Sequence, residues 1–385
     1  MSQPFAGLRV VELSSLPGAY GGMLLAGLGA EVIKVEPPEG DPLRRLEPTL
    51  PGVAAPENSL WWAYLGQGRR SVVIEPTPSG AEQLKWLLTS ADIVLDDAPI
   101  DHWDASGCGP DAIEAVNPKV IWVSITPFGR TGPHRDWKGS NLIAWAACGV
   151  LYTTGFPDRP PVVPAGPVQL AYHVAALNAV IGAQLALRLR RANDGQGQRV
   201  DISMQEALLA IAPETGAPIS LDDRVHRPRT GNRRDVTRPF GLYPCADGFV
   251  SFLVLQPNHW QAFAAWIAEV TGIDALTDEA FADMIVRREA GEFVDSSTEA
   301  LTMGMTKLEL FQEAQRRGIP CTPVNTIGDL RVDPHLAASG FFETVEHPAI
   351  GSYTRPGPPF RDNHGWWSLE RAPLLGEHTA AILGS

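Results

Sequence analysis

The chain has 385 residues, 44% hydrophobic and 19% charged, with a formal net charge of −13. That length predicts two lobes with ample buried core. The acidic balance excludes sequence-blind binding to nucleic acid, which needs a basic face, but leaves room for a local basic pocket.

The first thirteen residues show no basic stretch leading into an apolar run, so no signal peptide is expected. No apolar run is read as long enough to span a membrane. The most apolar, Leu170 to Leu187, is interrupted by His173, Asn178 and Gln184 and reads as a buried helix. Cys108, Cys148, Cys245 and Cys321 are widely spaced and form no C-x-x-C. They read as reduced core residues of a cytoplasmic protein, with neither a disulfide framework nor a metal site.

In chain order, residues 8–14 make an apolar strand, residues 15–18 a short loop, and residues 20–28 a helix that Gly29 ends. Residues 31–36 make a second strand. Strand, helix, strand is a βαβ unit and predicts a parallel sheet in an α/β fold. The pattern recurs: strands at 71–74, 92–96, 120–125 and 200–203, and helices at 79–90 (opened by Ser79), 110–116, 169–192 and 204–212. These define a large Rossmann-like domain over 1–212. Residues 213–239, rich in Pro, Arg and Asp, read as a linker. Residues 240–329 predict a smaller α+β domain: a hairpin, then amphipathic helices near 260–270 and 306–317. The segment 330–385 has little periodicity and is expected to return over the large domain.

A glycine-bearing loop between a strand and a helix is a natural anion site, and Glu36 sits where a dinucleotide fold places its ribose-binding acid. Gly18, Gly21 and Gly22 do not give G-x-G-x-x-G, however. Tight loop–helix packing is the simpler reading of them, and no nicotinamide or flavin cofactor is expected.

A series of short motifs runs nearly the whole chain in order. It comprises Leu28 to Glu36, Pro38 to Arg44, Arg69-Arg70-Ser71, Asn117-Pro118, and Ser124 to Gly129 with Gly132-Pro133. It continues with Gly195 to Gln198, Ser203 to Glu206, Arg229 to Asn232, Tyr243 with Asp247-Gly248, Gly318-Ile319-Pro320 and Leu375 to Thr379. Together they resemble the class III CoA-transferases, the CaiB/BaiF family, which also contains α-methylacyl-CoA racemases. The resemblance implies a large domain built from both chain ends, a small domain between them, and two protomers linked like rings. It implies coenzyme A as substrate or carrier, with no other cofactor.

In such transferases an Asp carboxylate attacks the acyl-CoA thioester, giving an acyl anhydride and then an enzyme–CoA thioester. Family spacing places that Asp at Tyr172, or at Ala171 after a shift of one, with Gln169 the nearest polar alternative. Residues 159–193 contain no Asp or Glu, and neither Tyr nor Gln forms that pair of intermediates. No catalytic residue is therefore assigned. The CoA-holding Glu-Asn-Phe stretch and its following Arg fall on Asp96-Asp97-Ala98 and Ala105. An acid at Asp97 is unfavourable beside phosphate. Arg44, Arg69 and Lys138 remain as expected CoA-binding residues, with Arg70 read evenly as ligand contact or surface charge. The racemase pair is incomplete as well: Ser140 stands at the His position, and the Asp is the one already missing. His173, beside the vacant position, reads as a packed core residue.

The resulting expectation is a catalytically deficient subunit of a heteromeric CoA-transferase of the benzylsuccinate type. Its partner is an Asp-bearing homologous subunit, and its substrates are acyl-CoA and carboxylic acids. One alternative is a self-sufficient CoA-transferase or acyl-CoA enzyme with an unusual nucleophile. Another is a non-enzymatic acyl-CoA-binding or regulatory protein.

Overall fold

The structure, a computed structural model, describes residues 3–163, 169–212 and 229–384. Much of the expected linker, residues 213–228, lies outside them. The chain forms two compact units. The larger comprises Met1–Leu151, Pro164–Arg224 and Ala337–Ser385, and the smaller comprises Tyr152–Val163 and Val225–Leu336. Tyr152–Val163 thus groups with the small unit, although the sequence places it in the large domain. Its tie there is hydrogen bonding: the Arg229 guanidinium donates to the carbonyls of Tyr152, Phe156 and Arg159, and the Gly231 N–H donates to Gly155 O.

The large unit is a six-stranded, wholly parallel sheet. Its strands are β1 (Arg9–Glu12), β2 (Glu31–Glu36), β3 (Arg69–Val73), β4 (Ile93–Asp96), β5 (Ile121–Thr126) and β6 (Gln198–Ser203), in the order β3-β2-β1-β4-β5-β6. Val10 sits opposite Val32 on one side and Ile93 on the other. Both faces are covered by helices, so the central strands read as continuous apolar runs rather than alternations. That is why the sequence shows them clearly. Helices α1 (Leu16–Gly27), α2 (Leu60–Leu65), α3 (Pro78–Thr89), α4 (Pro110–Val116), α5 (Asn141–Ala147), α6 (Leu170–Ala192) and α7 (Met204–Ala210) complete this unit up to residue 212.

Two helix starts differ from expectation. Helix α1 begins at Leu16, inside the expected loop, because Pro17 is tolerated in a first turn. Helix α3 is capped by Thr77, whose hydroxyl accepts the Gly80 N–H, and not by Ser79.

Helix α6 packs on α1, with Ala176 and Val180 against Gly21, and it carries a stripe of small residues in the core. Ala171, Ala175, Ala179 and Ala183 recur every four positions and are all fully buried. A Cβ on Gly21 would lie 3.3 Å from the Ala176 carbonyl oxygen, and one on Gly182 would lie 2.6 Å from Val200. The glycines of the first helix therefore serve close packing. By composition α6 is long and apolar enough to cross a membrane, which the sequence reading did not expect. Half of its apolar window is buried within this unit.

The small unit contains an antiparallel sheet of β7 (Phe240–Cys245), β8 (Gly248–Leu253) and β9 (Cys321–Pro323), with helices at Pro257–Thr271 and Lys307–Arg316 near the expected places. Helices Met284–Glu289 and Gly291–Thr302 were not foreseen. The returning C-terminal segment is more regular than expected: Phe342–His347 and Gly351–Pro356 pair as an antiparallel hairpin. It is fastened to the large unit by the Tyr353 hydroxyl on Ala63 O at 3.0 Å and by Arg355 on Gln67 at 2.6 Å. All four cysteines are buried and free.

Candidate functional site

Parallel strands send their carboxyl ends to one edge of the sheet. A crevice opens there where the strand order reverses, here between β1 and β4. A cavity of about 890 Å³ occupies this edge on the β2–β3 side, a size suited to a small molecule or cofactor. The ends of β1 and β2 form one wall. The start of α3 and the segment containing Trp103, Ala105 and Ser106 form the rest.

The first wall is held by a chain of polar contacts. The Asp97 carboxylate, one residue past β4, accepts the Ser15 N–H at 2.7 Å. The Ser15 hydroxyl donates to Asp41 at 3.0 Å, and Asp41 pairs with Lys34 at 2.6 Å. Lys34 also donates to the Ser14 carbonyl. Burial opposes charge on Lys34 and Asp41, but their attraction outweighs it. The Lys34 ammonium is held above its ordinary range and the Asp41 carboxyl below its own.

Asp97 behaves differently. Burial raises it, the neighbouring Asp96 and Asp41 add to that, and Lys34 with the Ser15 N–H only partly offsets it, leaving it near 7. Its ordinary value is 3.8, so the folded chain holds a proton that the unfolded chain releases as pH rises from about 4 to 7. Stability attributable to this residue therefore falls across that window and is flat above it. Asp97→Asn keeps an oxygen for the Ser15 N–H and removes the half-buried charge. At pH 8 the variant is expected to melt a few degrees higher than the parent, roughly 1–2 kcal/mol, with the difference gone at pH 5. Thermal melts at the two pH values check this.

The cation set differs from the expectation. Arg44 is fully buried: Nε and Nη2 grip Glu36 at 2.6 and 2.9 Å, Nη1 pairs with Glu57 at 2.8 Å, and the guanidinium lies 3.8 Å from the Trp62 ring centroid. Arg69 is buried against Glu12, with Nε to Oε2 at 2.5 Å and Nη2 to Oε1 at 2.9 Å, and donates to the carbonyls of Leu65 and Ala19. A Cβ on Gly22 would lie 2.5 Å from that guanidinium, which explains this glycine. Both arginines are spent on internal carboxylates, so neither is presented to a ligand. Glu36 is spent too, accepting from Ser71 Oγ and the Asp41 N–H besides Arg44, which removes it as a ribose ligand. Arg70 is exposed and pairs with Glu31 at 3.3 Å. Lys138 is exposed in the loop after β5.

Ala105 lies on the cavity wall. Among the described residues, that wall carries the carboxylates of Glu36, Asp41, Glu75 and Glu82, with His102 and no Lys or Arg. Ala98 is half-buried, and its N–H donates to Asp96 at 3.0 Å.

At the start of α6, Ala171 is buried and Tyr172 half-buried against the core beneath the sheet. The Ala171 N–H donates to Asn141 Oδ1 at 2.9 Å, tying this helix to α5, whose start is capped by Ser140. The His173 ring packs 5.3 Å from that of Tyr20, and burial lowers its pKa. Asn141 and Ser15 lie outside the motifs, and Asp41 and Lys34 lie inside them without an assigned role. Lys34 carried a usable signal: a lysine inside a strand buried on both faces requires a carboxylate partner.

An open parallel sheet of this order, with helices on both faces and a cavity at its carboxyl edge, defines a doubly wound α/β fold. The model of CoA-transferase family III matches residues 5–379, and the chain belongs to that family. It is 33% identical to subunit BbsE of succinyl-CoA:(R)-benzylsuccinate CoA-transferase from Thauera aromatica, across 100% of this chain and 94% of that one. It is 34% identical to succinyl-CoA–D-citramalate CoA-transferase from Chloroflexus aurantiacus, across 99% and 93%. A CaiB/BaiF family protein from Brucella suis superimposes with a TM-score of 0.87 over 99% of both chains, at 28% identity.

Proposed function

We propose that this chain is the non-nucleophilic subunit of a heteromeric, cytoplasmic class III CoA-transferase, and that the covalent step takes place on an Asp-bearing homologous partner. One observation carries the reading: the cavity at the carboxyl edge has no cation among its described lining residues, whereas Glu75 and Glu82 are exposed on it and Glu36 and Asp41 already hold Arg44 and Lys34 behind the wall. The nucleotide of CoA brings several negative charges, and placing them beside Glu75 and Glu82 with no cation in the described lining is unfavourable. The absence of Asp and Glu from residues 159–193 points the same way, as does the likeness to a protein described as a subunit.

In this reading Arg44 and Arg69 belong to the scaffold. Lys138, exposed, contributes to CoA held largely by the partner. The partner covers the outer face of α6, where Leu177, Ile181, Leu185 and Leu189 form a four-residue-spaced apolar stripe, each side chain about half exposed. The acceptor is a carboxylic acid, with benzylsuccinate-like acids the first to try.

Calorimetry with CoA tests the charge argument. The isolated chain is expected to show no saturable binding up to about 1 mM, whereas its complex with an Asp-bearing homologue binds one CoA per pair. Tight one-to-one binding by the isolated chain would contradict the proposal.

A second reading, a self-sufficient enzyme with an unusual nucleophile, is favoured by Asp97, a carboxyl that burial pushes up to about 7 and that Ser15 links to the cavity-lining Asp41. It requires that the isolated chain transfer CoA and that Asp97→Asn abolish the transfer. A binding or regulatory protein would show no transfer either alone or in the pair.

A further inference from the structure

The opposite, amino-terminal edge of the sheet carries a second cavity of about 470 Å³, within the range of small-molecule sites. Its apolar walls are Phe5 and Leu8 leading into β1, Leu28 after α1, Leu187 of α6, and Phe360 and Trp366 of the C-terminal segment. These walls are fastened together. The Phe5 N–H donates to Leu28 O at 3.0 Å, and the Gln3 amide donates to Trp366 O at 3.0 Å.

The polar lining comes from one face of α6: Gln184, Arg188 and Arg191, spaced by four and three residues. No acidic side chain lines the cavity among the described residues. The neighbouring Arg190 is answered by Asp92 at 2.9 Å. Arg188 and Arg191 have no carboxylate partner among the described residues, in a chain whose net charge is −13. Two like charges three residues apart on a helix repel each other. The helix C-terminus favours a cation at Arg191 but does not reach back a full turn to Arg188. An anion between the two guanidiniums removes the repulsion, and a planar carboxylate matches their fork geometry.

We propose that this cavity binds a small apolar carboxylate, an aryl or medium-chain alkyl acid. Its tail lies among Phe5, Leu8, Leu28 and Trp366, and its carboxylate lies on Arg188 and Arg191. The site is separate from the cavity at the carboxyl edge and does not depend on where the covalent step occurs. It gives the protein a place to sense a free acid of the class that CoA-transfer consumes and releases.

The test uses 3-phenylpropionate and octanoate, each against its uncharged amide, with binding read by calorimetry and tryptophan fluorescence on the whole chain. The acids are expected to bind at one site per chain with Kd on the order of 10⁻⁴ M, and the amides at least about tenfold more weakly. The double substitution Arg188→Gln and Arg191→Gln, at exposed positions, is expected to leave the melting temperature unchanged and to weaken acid binding by about tenfold or more. Equal binding of acid and amide overturns the proposal, as does binding indifferent to the double substitution or none at 10⁻² M. Acid binding by the isolated chain that disappears in the assembled pair overturns it as a ligand site and assigns the cavity to the partner's own carboxylate.

Discussion

If the covalent step lies on an Asp-bearing partner, Asp→Asn at that nucleophile is expected to lower CoA transfer by the assembled pair about 10³-fold or more, whereas Tyr172→Phe in this chain is expected to leave it within about twofold. The asymmetry follows from chemistry. Both covalent intermediates are acyl derivatives of a carboxylate, so removing that group removes both. Tyr172 is half-buried and packed against the core cluster, and Phe preserves its packing surface while removing only the hydroxyl. Steady-state rates of the four combinations of native and substituted subunits decide it. A collapse of activity on Tyr172→Phe, with the pair still assembled, would place the hydroxyl in the reaction.

Arg44→Ala is expected to destabilise the protein by about 3–5 kcal/mol, through loss of a buried charge whose partners remain. Glu36 is fully buried and Glu57 nearly so. Removing the guanidinium leaves both carboxylates uncompensated and takes the cation from the Trp62 face. If the variant does not fold, Arg44→Lys keeps the charge but loses the two-pronged grip on Glu36, and a smaller loss of about 1–3 kcal/mol is expected. Combining Arg44→Met with Glu36→Gln is expected to recover part of the loss, because it removes charge on both sides. Urea midpoints measure these differences. An Arg44 that held CoA instead would give a variant of native midpoint with weakened CoA affinity in the pair.

The sheet was legible because its strands are continuous apolar runs between helices. Glu31–Glu36 falls where the sequence puts it, residue for residue. The hairpin at Phe342–His347 was not, because its strand is mostly half exposed and alternates weakly. The candidate site was legible in part. The segment that the resemblance marks out, from Asp96 to Ala105, ends at the carboxyl-edge cavity, where Ala105 is a lining residue. The roles of the arginines were not visible. Arg69 and Glu12 are 57 residues apart in sequence, and only the parallel register brings β1, β2 and β3 close enough for that pair to form. A cation's partner is a property of tertiary structure, so a basic residue in a family motif reads as a ligand contact until the fold shows which carboxylate holds it.

The most direct test of the central claim is to incubate the assembled pair with acyl-CoA, trap covalent intermediates with hydroxylamine or borohydride, and locate the modified residue by peptide mass spectrometry. The adduct is expected on the partner's Asp, with every peptide of this chain unmodified. A trapped carboxylate in this chain, at Asp97 or elsewhere, would show that it carries the covalent step itself.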